Sequence, residues 1–345
     1  MSRFLLVHPG ATWAVHDVHT GLLAGLQAGG HEVYEYALDR RIEAGMSWLK
    51  HLWQLQVDAP DGGPLADQPP NEADAIYHAG QEAVTRALRF EVDWVLVVCA
   101  AYFHPNCAIL ARRAGLRLAV VFTESPYDDD KQATVAPLYD VCFTQERASV
   151  PGLRAANPNT HYLPAAYDPA HHGPHLNGSA PAHDVVFVGS GYESRTALLS
   201  AVDWGGIDLG LYGAWDDLAP NHPLRRHVRG GVVDNARAGA LYRKARIALN
   251  LYRSAGGVPA ESLNPRAYEL AADGVLTVSH PRAEVGERFG LRVPVFRTAA
   301  ELGRVVRHYL AHPDERDSLG ADLPPLVAED TYTHRAAQLV AHLCE

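Results

Sequence analysis

The fold of this chain is decided by the stretch Glu261-Ser-Leu-Asn-Pro-Arg-Ala-Tyr-Glu269. Asn264 followed by Pro265 predicts a helix start, because Asn is a good cap and Pro lacks only an N–H that would be unsatisfied there. Gly274 can close the helix. The apolar run Val275-Leu-Thr-Val278 then predicts a short buried strand. The stretch is therefore typical of a helix–strand unit in an α/β protein.

Two acids and an arginine in this stretch are candidates for ligand binding. Glu261 precedes the predicted helix, and Glu269 lies about one turn inside it. Arg266 lies in the first turn, where free N–H groups and the positive helix end favour an anion. Such a set suits a ligand with hydroxyls at both ends and phosphates between them, as in a nucleotide-sugar. The same spacing also fits an ordinary capped helix with two solvated acids.

Length and composition indicate a globular protein of two domains. The chain has 345 residues, of which 47% are hydrophobic and 20% are charged. Its net charge of −10 disfavours a nucleic acid as partner without excluding a local basic pocket. The four cysteines form no Cys-x-x-Cys pair, and no stretch resembles a signal peptide or a membrane span. We therefore expect a cytoplasmic protein with reduced thiols.

Two series of alternating strands and helices follow one another along the chain. The first opens with a strand at Arg3–Val7, a helix at Ala14–Ala28 and a strand at His31–Tyr36. Such a βαβ unit predicts a parallel sheet. Residues 41–70 are less regular and predict an excursion or lid with a short helix near Met46–Gln56.

The second series begins after a stretch rich in Pro, His, Gly and Asn, and its last predicted strand is Val293–Phe296. We therefore predict an α/β fold of two Rossmann-like domains whose parallel sheets face each other across a cleft. Ligands of such sheets lie beyond the carboxyl ends of the strands. The predicted parts are an N-terminal domain at 1–165, a linker at 166–183, a C-terminal domain at 184–328 and a helix at 329–345 that packs back toward the N-terminal domain.

Several motifs resemble those of glycosyltransferases with the GT-B fold. The stretch Leu22-Leu-x-x-Leu26-x-x-Gly29-Gly30-His31-Glu32-Val33 resembles their first helix and second strand. From about residue 162 onward, the chain is similar to the CgeB-like (spore-coat maturation type) subgroup of group-1 glycosyltransferases. The motifs that carry this similarity are Tyr162-Leu-Pro-Ala-Ala-Tyr-Asp-Pro169, Phe187-Val-Gly189, Ala248-Leu-Asn250, Asn264 to Gly274, and Asp330-Thr-Tyr-Thr-His-Arg335.

The resemblance implies the GT-B fold, a C-terminal nucleotide-sugar domain and an N-terminal acceptor domain. It implies transfer of a sugar from a nucleotide-diphosphate donor such as a UDP-sugar, with retention. In retaining enzymes of this fold, the first acid of a Glu-x7-Glu pattern faces the donor sugar and the second holds the ribose. Glu261 and Glu269 would take these roles. The glycine that often follows the first acid is replaced here by Ser262, which puts the role of Glu261 in doubt.

Other activities remain compatible with the same motifs. A sugar-nucleotide epimerase of this fold would convert the donor without an acceptor, and a non-catalytic protein would bind the nucleotide-sugar only. An NAD-dependent oxidoreductase is disfavoured, because Ser194 stands where a dinucleotide fingerprint has its third glycine.

A glycine loop opens the second series and adds donor-binding candidates. Gly189 and Gly191 permit a close approach of the backbone to phosphates, and Arg195 can meet a diphosphate. Together with Arg266 it would neutralise the leaving diphosphate, so we predict no essential metal and no cofactor beyond the donor. Trp215 follows another strand and would either stack on a nucleobase or pack the loop. Asn264 completes the donor-binding set.

The acceptor candidates lie in the first series. Gly10 and His16 belong to its first strand–helix loop, and His104 follows a central strand. Each histidine would bind the acceptor or act as a base, or is simply a surface residue. Glu124 and Asp128 follow the next strand and read as an exposed acidic loop on the acceptor side.

The acceptor itself stays open between a small molecule, a protein, a lipid and a modified base. In the linker, His171-His172-x-x-His175 reads as a solvated hinge, because no Cys or acid completes a metal-ligand set.

Overall fold

The computed structural model describes residues 1–10, 15–60, 68–176, 182–254 and 256–344. The chain divides into an N-terminal unit, Met1–Leu163 with Ala336–Glu345, and a C-terminal unit, Pro164–Arg335. Each unit contains one sheet of parallel strands, which confirms the predicted α/β class. Within the described ranges, no helix is both long enough and apolar enough to cross a membrane.

The N-terminal unit has a six-stranded sheet in the order β2-β1-β3-β4-β5-β6. All residues of β3 and β4 are buried, as their continuous apolar runs predict for strands covered on both faces. The strands are β1 (Arg3–His8), β2 (Glu32–Ala37), β3 (Trp94–Val98), β4 (Leu118–Phe122), β5 (Val141–Thr144) and β6 (Thr160–Tyr162). The helices are α1 (His16–Ala28), α2 (Leu38–Val57), α3 (Glu72–Arg89), α4 (Pro105–Arg113), α5 (Asp129–Val135) and α6 (Val150–Ala156).

The C-terminal unit has a five-stranded sheet in the order β11-β10-β7-β8-β9. Its strands are β7 (His183–Val188), β8 (Leu209–Tyr212), β9 (Val228–Gly230), β10 (Ala245–Asn250) and β11 (Leu276–Ser279). Its helices are α7 (Glu193–Ser200), α8 (Asn235–Arg243), α9 (Pro265–Ala272), α10 (Ala283–Phe289), α11 (Ala299–Ala311) and α12 (Pro313–Ala321). The last helix, α13 (Tyr332–Leu343), begins in this unit, and its residues from Ala336 onward belong to the N-terminal unit.

The capped helix predicted from Asn264 to Gly274 is confirmed. The Asn264 Oδ1 atom accepts a hydrogen bond from the Ala267 backbone N–H at 3.1 Å, and Pro265 occupies the first helical position. Gly274 follows the helix with a φ of 68°, a conformation that suits a residue without a side chain. The residues that start and end this helix therefore all lie within the stretch 264–274, which made its bounds predictable.

Three sequence predictions about the elements are wrong. The excursion predicted from residue 41 begins as the 20-residue helix α2, in which only Leu38 and Gly45 are buried and the apolar period is accordingly weak. Residues 61–67 of that excursion lie outside the described residues, as does Ala14 of the predicted first helix. Val293–Phe296 makes only an isolated bridge between Val295 and Ser279, because Pro294 cannot donate to a ladder. The acidic loop after β4 continues as helix α5, which begins at Asp129.

The histidine stretch of the predicted linker is also not a solvated hinge. His172 is fully buried, with its Nδ1 atom 2.8 Å from Asp273 Oδ2, and its Nε2 atom contacts Asn235 Oδ1. Asp273 also accepts a hydrogen bond from Arg243 at 2.6 Å. Burial lowers the pKa of His172, but Asp273 and Glu269 outweigh burial and raise the pKa above its ordinary value. The segment thus packs into the C-terminal unit.

Two helical glycines offer a matched test of helix–strand packing. A Cβ atom on Gly320 in α12 would lie 2.5 Å from the Gly274 carbonyl oxygen, whereas one on Gly286 in α10 would meet open space. We expect Gly320→Ala to lower the free energy of unfolding by about 1–3 kcal/mol through overpacking. Gly286→Ala should raise it by about 0.5–1 kcal/mol, because alanine loses less backbone entropy in a helix. Urea denaturation of both variants measures the difference, and equal shifts would contradict it.

Candidate functional site

The strand order of the C-terminal unit marks one position where a ligand crevice is expected. The chain proceeds from β7 outward to β9 and then returns to the other side of β7 with β10. The order therefore reverses between β7 and β10, and ligands of parallel sheets bind at the carboxyl ends of strands beside such a reversal. Gly189 follows β7, and Leu251 follows β10.

The two predicted arginines meet at this reversal. Arg195, which is 6% exposed, donates to the Ser190 carbonyl oxygen at 3.0 Å and to the Leu251 carbonyl oxygen at 2.8 Å. Arg266 donates to the same Leu251 oxygen at 3.4 Å. Their guanidinium carbons lie 5.3 and 5.0 Å from the centroid of the Phe187 ring. Two guanidinium groups held together create a favourable position for an anion.

The predicted glycines are required by close packing. A Cβ atom on Gly189 would lie 2.7 Å from Arg266 Nη2, and one on Gly191 would lie 2.4 Å from the Trp215 ring. Trp215 is 3% exposed and edge-on to Phe187 at a centroid distance of 6.1 Å. Of the two predicted roles of Trp215, this geometry corresponds to packing of the loop, because the ring is buried against Gly191.

The remaining donor candidates differ in what their side chains do. The Asn264 amide caps α9 and donates to Asn250 Oδ1 at 3.1 Å, so both ends of the amide have partners within the unit, and its predicted contact with the donor stays a prediction. Glu269 is 8% exposed, and its Oε1 atom lies 3.5 Å from Asn235 Nδ2. Its carboxylate therefore belongs to the buried polar network of His172.

Glu261 lies half-buried in the loop before α9. Its carbonyl oxygen accepts a hydrogen bond from the Glu284 backbone N–H at 3.1 Å, and Arg282 donates to the neighbouring carbonyl of Ala260. These bonds tie the loop to the start of α10, beyond the carboxyl end of β11.

Two residues at the end of β11 escaped the sequence analysis. His280 accepts a hydrogen bond from the Tyr252 backbone N–H at 3.3 Å. Burial, with Arg195 and Arg282 nearby, lowers the pKa of His280 to about 4, so the imidazole is neutral at pH 7. The signal was present in the sequence, because His280 and Arg282 directly follow a predicted strand, where ligand-binding side chains are expected.

The acceptor candidates of the N-terminal unit line two separate cavities. A cavity of about 440 Å³ beyond β3 and β4 is lined by His104, Glu124 and Asp128. A second cavity of about 390 Å³ is lined by His16. Gly10 lies close to the second one, since its Cβ atom would meet the Asp39 carboxylate at 2.1 Å. The structure thus brings three of the predicted residues together and places His16 in the other cavity.

The second cavity contains a histidine cluster that the sequence analysis missed. Ligand atoms of His8, His19 and Glu35 lie within 4.8 Å of one another, and this is the one such group among the described residues. The His8 and His19 rings are stacked at 3.7 Å with an interplanar angle of 17°. Their in-plane lone pairs therefore run side by side and do not converge on one ion, which fits a tetrahedral metal site poorly.

The same histidines predict a dependence of stability on pH. Burial lowers the pKa of His8 and of His19 to about 4, below the ordinary value of about 6.5. Their contribution to stability is complete above pH 6.5 and is lost as the pH falls toward 4, because only the unfolded chain then binds the protons. At pH 5, each of the two histidines should lower the free energy of unfolding by about 2 kcal/mol relative to its value at neutral pH.

Urea denaturation at pH 7.5 and pH 5 measures this loss. His19→Gln should reduce the difference between the two pH values, whereas His51→Gln, at an exposed position on α2, should leave it unchanged. An unaltered difference in His19→Gln would show that this imidazole titrates normally in the folded protein.

Comparisons with known proteins bear on the fold and the family of the chain. Residues 195–341 match a family described as glycosyl transferase-like. The structure of sucrose-phosphate synthase from Thermosynechococcus elongatus has a TM-score of 0.66 at 14% identity, covering 100% of this chain and 98% of that chain. The structure of Anabaena HepE in complex with UDP-glucose has a TM-score of 0.65 at 12% identity, covering 100% and 99%. A trehalose-6-phosphate synthase studied for glycosyl transfer with retention has a TM-score of 0.61 at 13% identity, covering 99% of both chains.

No curated protein sequence matches the chain. Because these solved structures are only 12–14% identical to the chain, their similarity establishes the fold. The family match concerns residues 195–341. The chain therefore has the GT-B fold, its residues 195–341 match a glycosyl transferase-like family, and the predicted class of enzyme, a glycosyltransferase, is confirmed.

Proposed function

We propose that the protein transfers a glycosyl group from a UDP-sugar to an acceptor hydroxyl, with retention and without a metal, and that it belongs to the CgeB-like subgroup. The observation that carries this proposal is the meeting of Arg195 and Arg266 at the Leu251 carbonyl oxygen. The UDP-glucose bound in the Anabaena structure, which has the same fold, supports a UDP-sugar as donor.

The paired arginines suit the leaving diphosphate. Negative charge grows on the diphosphate as the bond between the sugar C1 atom and the phosphate oxygen breaks. Arg195 and Arg266 offer positive charge and N–H donors that are already in place, so little reorganisation is needed when the charge appears. In this proposal the two guanidiniums perform the neutralisation that a divalent cation performs in other transferases.

We assign the two acids to different parts of the donor. Glu269 is held by a buried network, and a fixed carboxylate suits the two hydroxyls of a ribose. Glu261 lies in a loop fastened to α10 by the bond from Glu284, so its position is defined although the usual following glycine is Ser262. We assign Glu261 to the donor sugar.

Retention removes the need for a protein base. The bond from the acceptor oxygen to C1 forms on the face from which the diphosphate leaves, and the leaving phosphate oxygen takes the acceptor proton. The retention studied in trehalose-6-phosphate synthase, a protein of the same fold, supports this course. His104 has its Nδ1 atom engaged by the Asn106 backbone N–H at 3.1 Å, so its Nε2 atom is the one to orient an acceptor hydroxyl. His16, in the second cavity, is the alternative candidate for this role.

A donor panel tests the reaction. The protein is incubated with UDP-, GDP- and TDP-sugars, with and without candidate acceptors and with EDTA, while nucleotide diphosphate and sugar products are followed. We expect release of UDP that requires an acceptor and persists in EDTA, and NMR of the product should show the anomeric configuration of the donor. Glu261→Gln should reduce transfer by about 100-fold or more with little change in UDP affinity.

Each other result of the panel contradicts the proposal in a defined way. Isomerised donor without release of nucleotide would establish an epimerase. Donor binding without turnover under any acceptor would establish a non-catalytic binding protein. A product of inverted configuration would remove the assigned role of the leaving phosphate.

The arginine pair makes a separate prediction about nucleotide affinity. Arg266→Ala should weaken UDP binding by about 1.5–3 kcal/mol, or roughly 10- to 150-fold, because charged hydrogen bonds to phosphate are lost. The affinity for uridine, which has no phosphate, should change little. Isothermal titration for UDP and ligand-observed NMR for uridine measure the two affinities.

Two comparisons sharpen this test. Arg246→Ala removes an arginine from the other end of β10, where it pairs with Asp184, and should leave both affinities unchanged. Glu269→Ala should weaken UDP and uridine alike, because both carry the ribose. Equal losses for UDP and uridine in Arg266→Ala would show that Arg266 does not contact the diphosphate.

A further inference from the structure

The cavity beyond β3 and β4 is built mainly of apolar side chains. It encloses about 440 Å³, a volume typical of sites for small organic molecules. Its walls come from α3, from the segment after β3, from the end of β4 and from α5, and the larger apolar members are Ile76, Phe103, Phe122 and Val135. Such walls favour a ligand that buries a ring or a comparable apolar body.

One polar atom in this wall is left without a partner. Gln132 is 7% exposed, and its Nε2 atom donates to Ser125 Oγ at 3.2 Å. Its Oε1 atom is buried and accepts no hydrogen bond from any described residue. Buried polar atoms are normally satisfied, so an unpartnered oxygen on a side chain that lines a cavity is suited to a ligand that donates a hydrogen bond. A hydroxyl group is such a donor.

The charges around the cavity disfavour a ligand that carries a phosphate group. Glu124 and Asp128 both line it, and the one lysine in the lining, Lys131, is already paired with Asp128 at 3.0 Å. A phosphate group would face two carboxylates with little positive charge to offset them. This lining is thus the opposite of the arginine-rich strand ends in the C-terminal unit.

We propose that this cavity binds the acceptor, and that the acceptor is an uncharged hydroxyl compound with an apolar, ring-containing body and not a sugar phosphate. The assignment of this ligand as the acceptor rests on the proposed glycosyl transfer. The chemical preference of the cavity rests on its lining alone. The ring of the acceptor lies among the apolar side chains, and its hydroxyl forms a hydrogen bond, either as donor to Gln132 Oε1 or with His104.

Three probes with one ring system test the preference on the full chain. 2-Naphthol offers the ring and a hydroxyl, 2-methoxynaphthalene lacks the donor, and 2-naphthyl phosphate adds the negative charge. Isothermal titration should give saturable binding of 2-naphthol, with at least tenfold weaker binding of the phosphate and several-fold weaker binding of the methoxy compound. UDP is titrated on the same preparations.

Two variants locate the site. Ala73 lines the cavity from an exposed position on α3, so Ala73→Trp should fill it without disturbing the core and reduce 2-naphthol affinity at least tenfold, with UDP affinity unchanged. Gln132→Leu should abolish the preference for 2-naphthol over 2-methoxynaphthalene. Circular dichroism and thermal unfolding confirm that both variants are folded.

The outcomes separate this proposal from the proposed function. Absence of saturable 2-naphthol binding, equal or tighter binding of the phosphate, or an unaffected Ala73→Trp variant would overturn the cavity proposal even if UDP binds. A protein that binds 2-naphthol as expected but shows no affinity for UDP would overturn the donor assignment and leave the preference of the cavity established.

Discussion

The carbonyl oxygen of Leu251 is the point on which the proposed donor site depends. It accepts hydrogen bonds from Arg195 and Arg266, which arrive from different helices. Two guanidinium groups repel each other, and a shared acceptor together with the face of Phe187 offsets that repulsion. Because Leu251 directly follows β10, which pairs with β7, the sheet itself sets where the two charges meet.

This arrangement explains why small residues surround the arginines. The approach of Arg266 leaves no room for a side chain at Gly189, and the Trp215 ring leaves none at Gly191. The sheet fixes the shared oxygen, the oxygen holds the guanidiniums, and Arg266 and Trp215 together require glycines in the loop. In the proposed donor site, side-chain choice therefore follows from backbone geometry.

How much could be predicted from the sequence depended on how local the determining interactions are. The helix after Asn264 was predictable because its cap lies within the same few residues, and the buried strands were predictable from continuous apolar runs. The arginine pair followed from the rule that ligands lie at strand ends. His172 was not predictable, since its partner Asp273 lies 101 residues away and the surrounding composition indicates a loop.

The same reasoning accounts for the histidines that were missed. His8 and His19 are buried and stack on each other, a contact between strand and helix that no pattern in the sequence records. Trp215 stayed ambiguous for a related reason, because only the folded glycine loop decides whether an indole is covered. For the candidate site, the sequence could thus indicate which candidate residues follow strands, whereas their burial and partners required the tertiary structure.

The burial of His172 has a consequence for exchange of modules between related proteins. The segment before β7 fills a position inside the C-terminal unit, where Asp273 contacts His172, the Gly173 backbone N–H and Arg243. A chimaera that joins a foreign N-terminal part to this C-terminal unit at His183 would discard this segment and leave the Asp273 carboxylate without two of its partners, His172 and the Gly173 N–H. Recombination, in the laboratory or in evolution, should therefore be tolerated near Pro164 and not at the apparent boundary before β7.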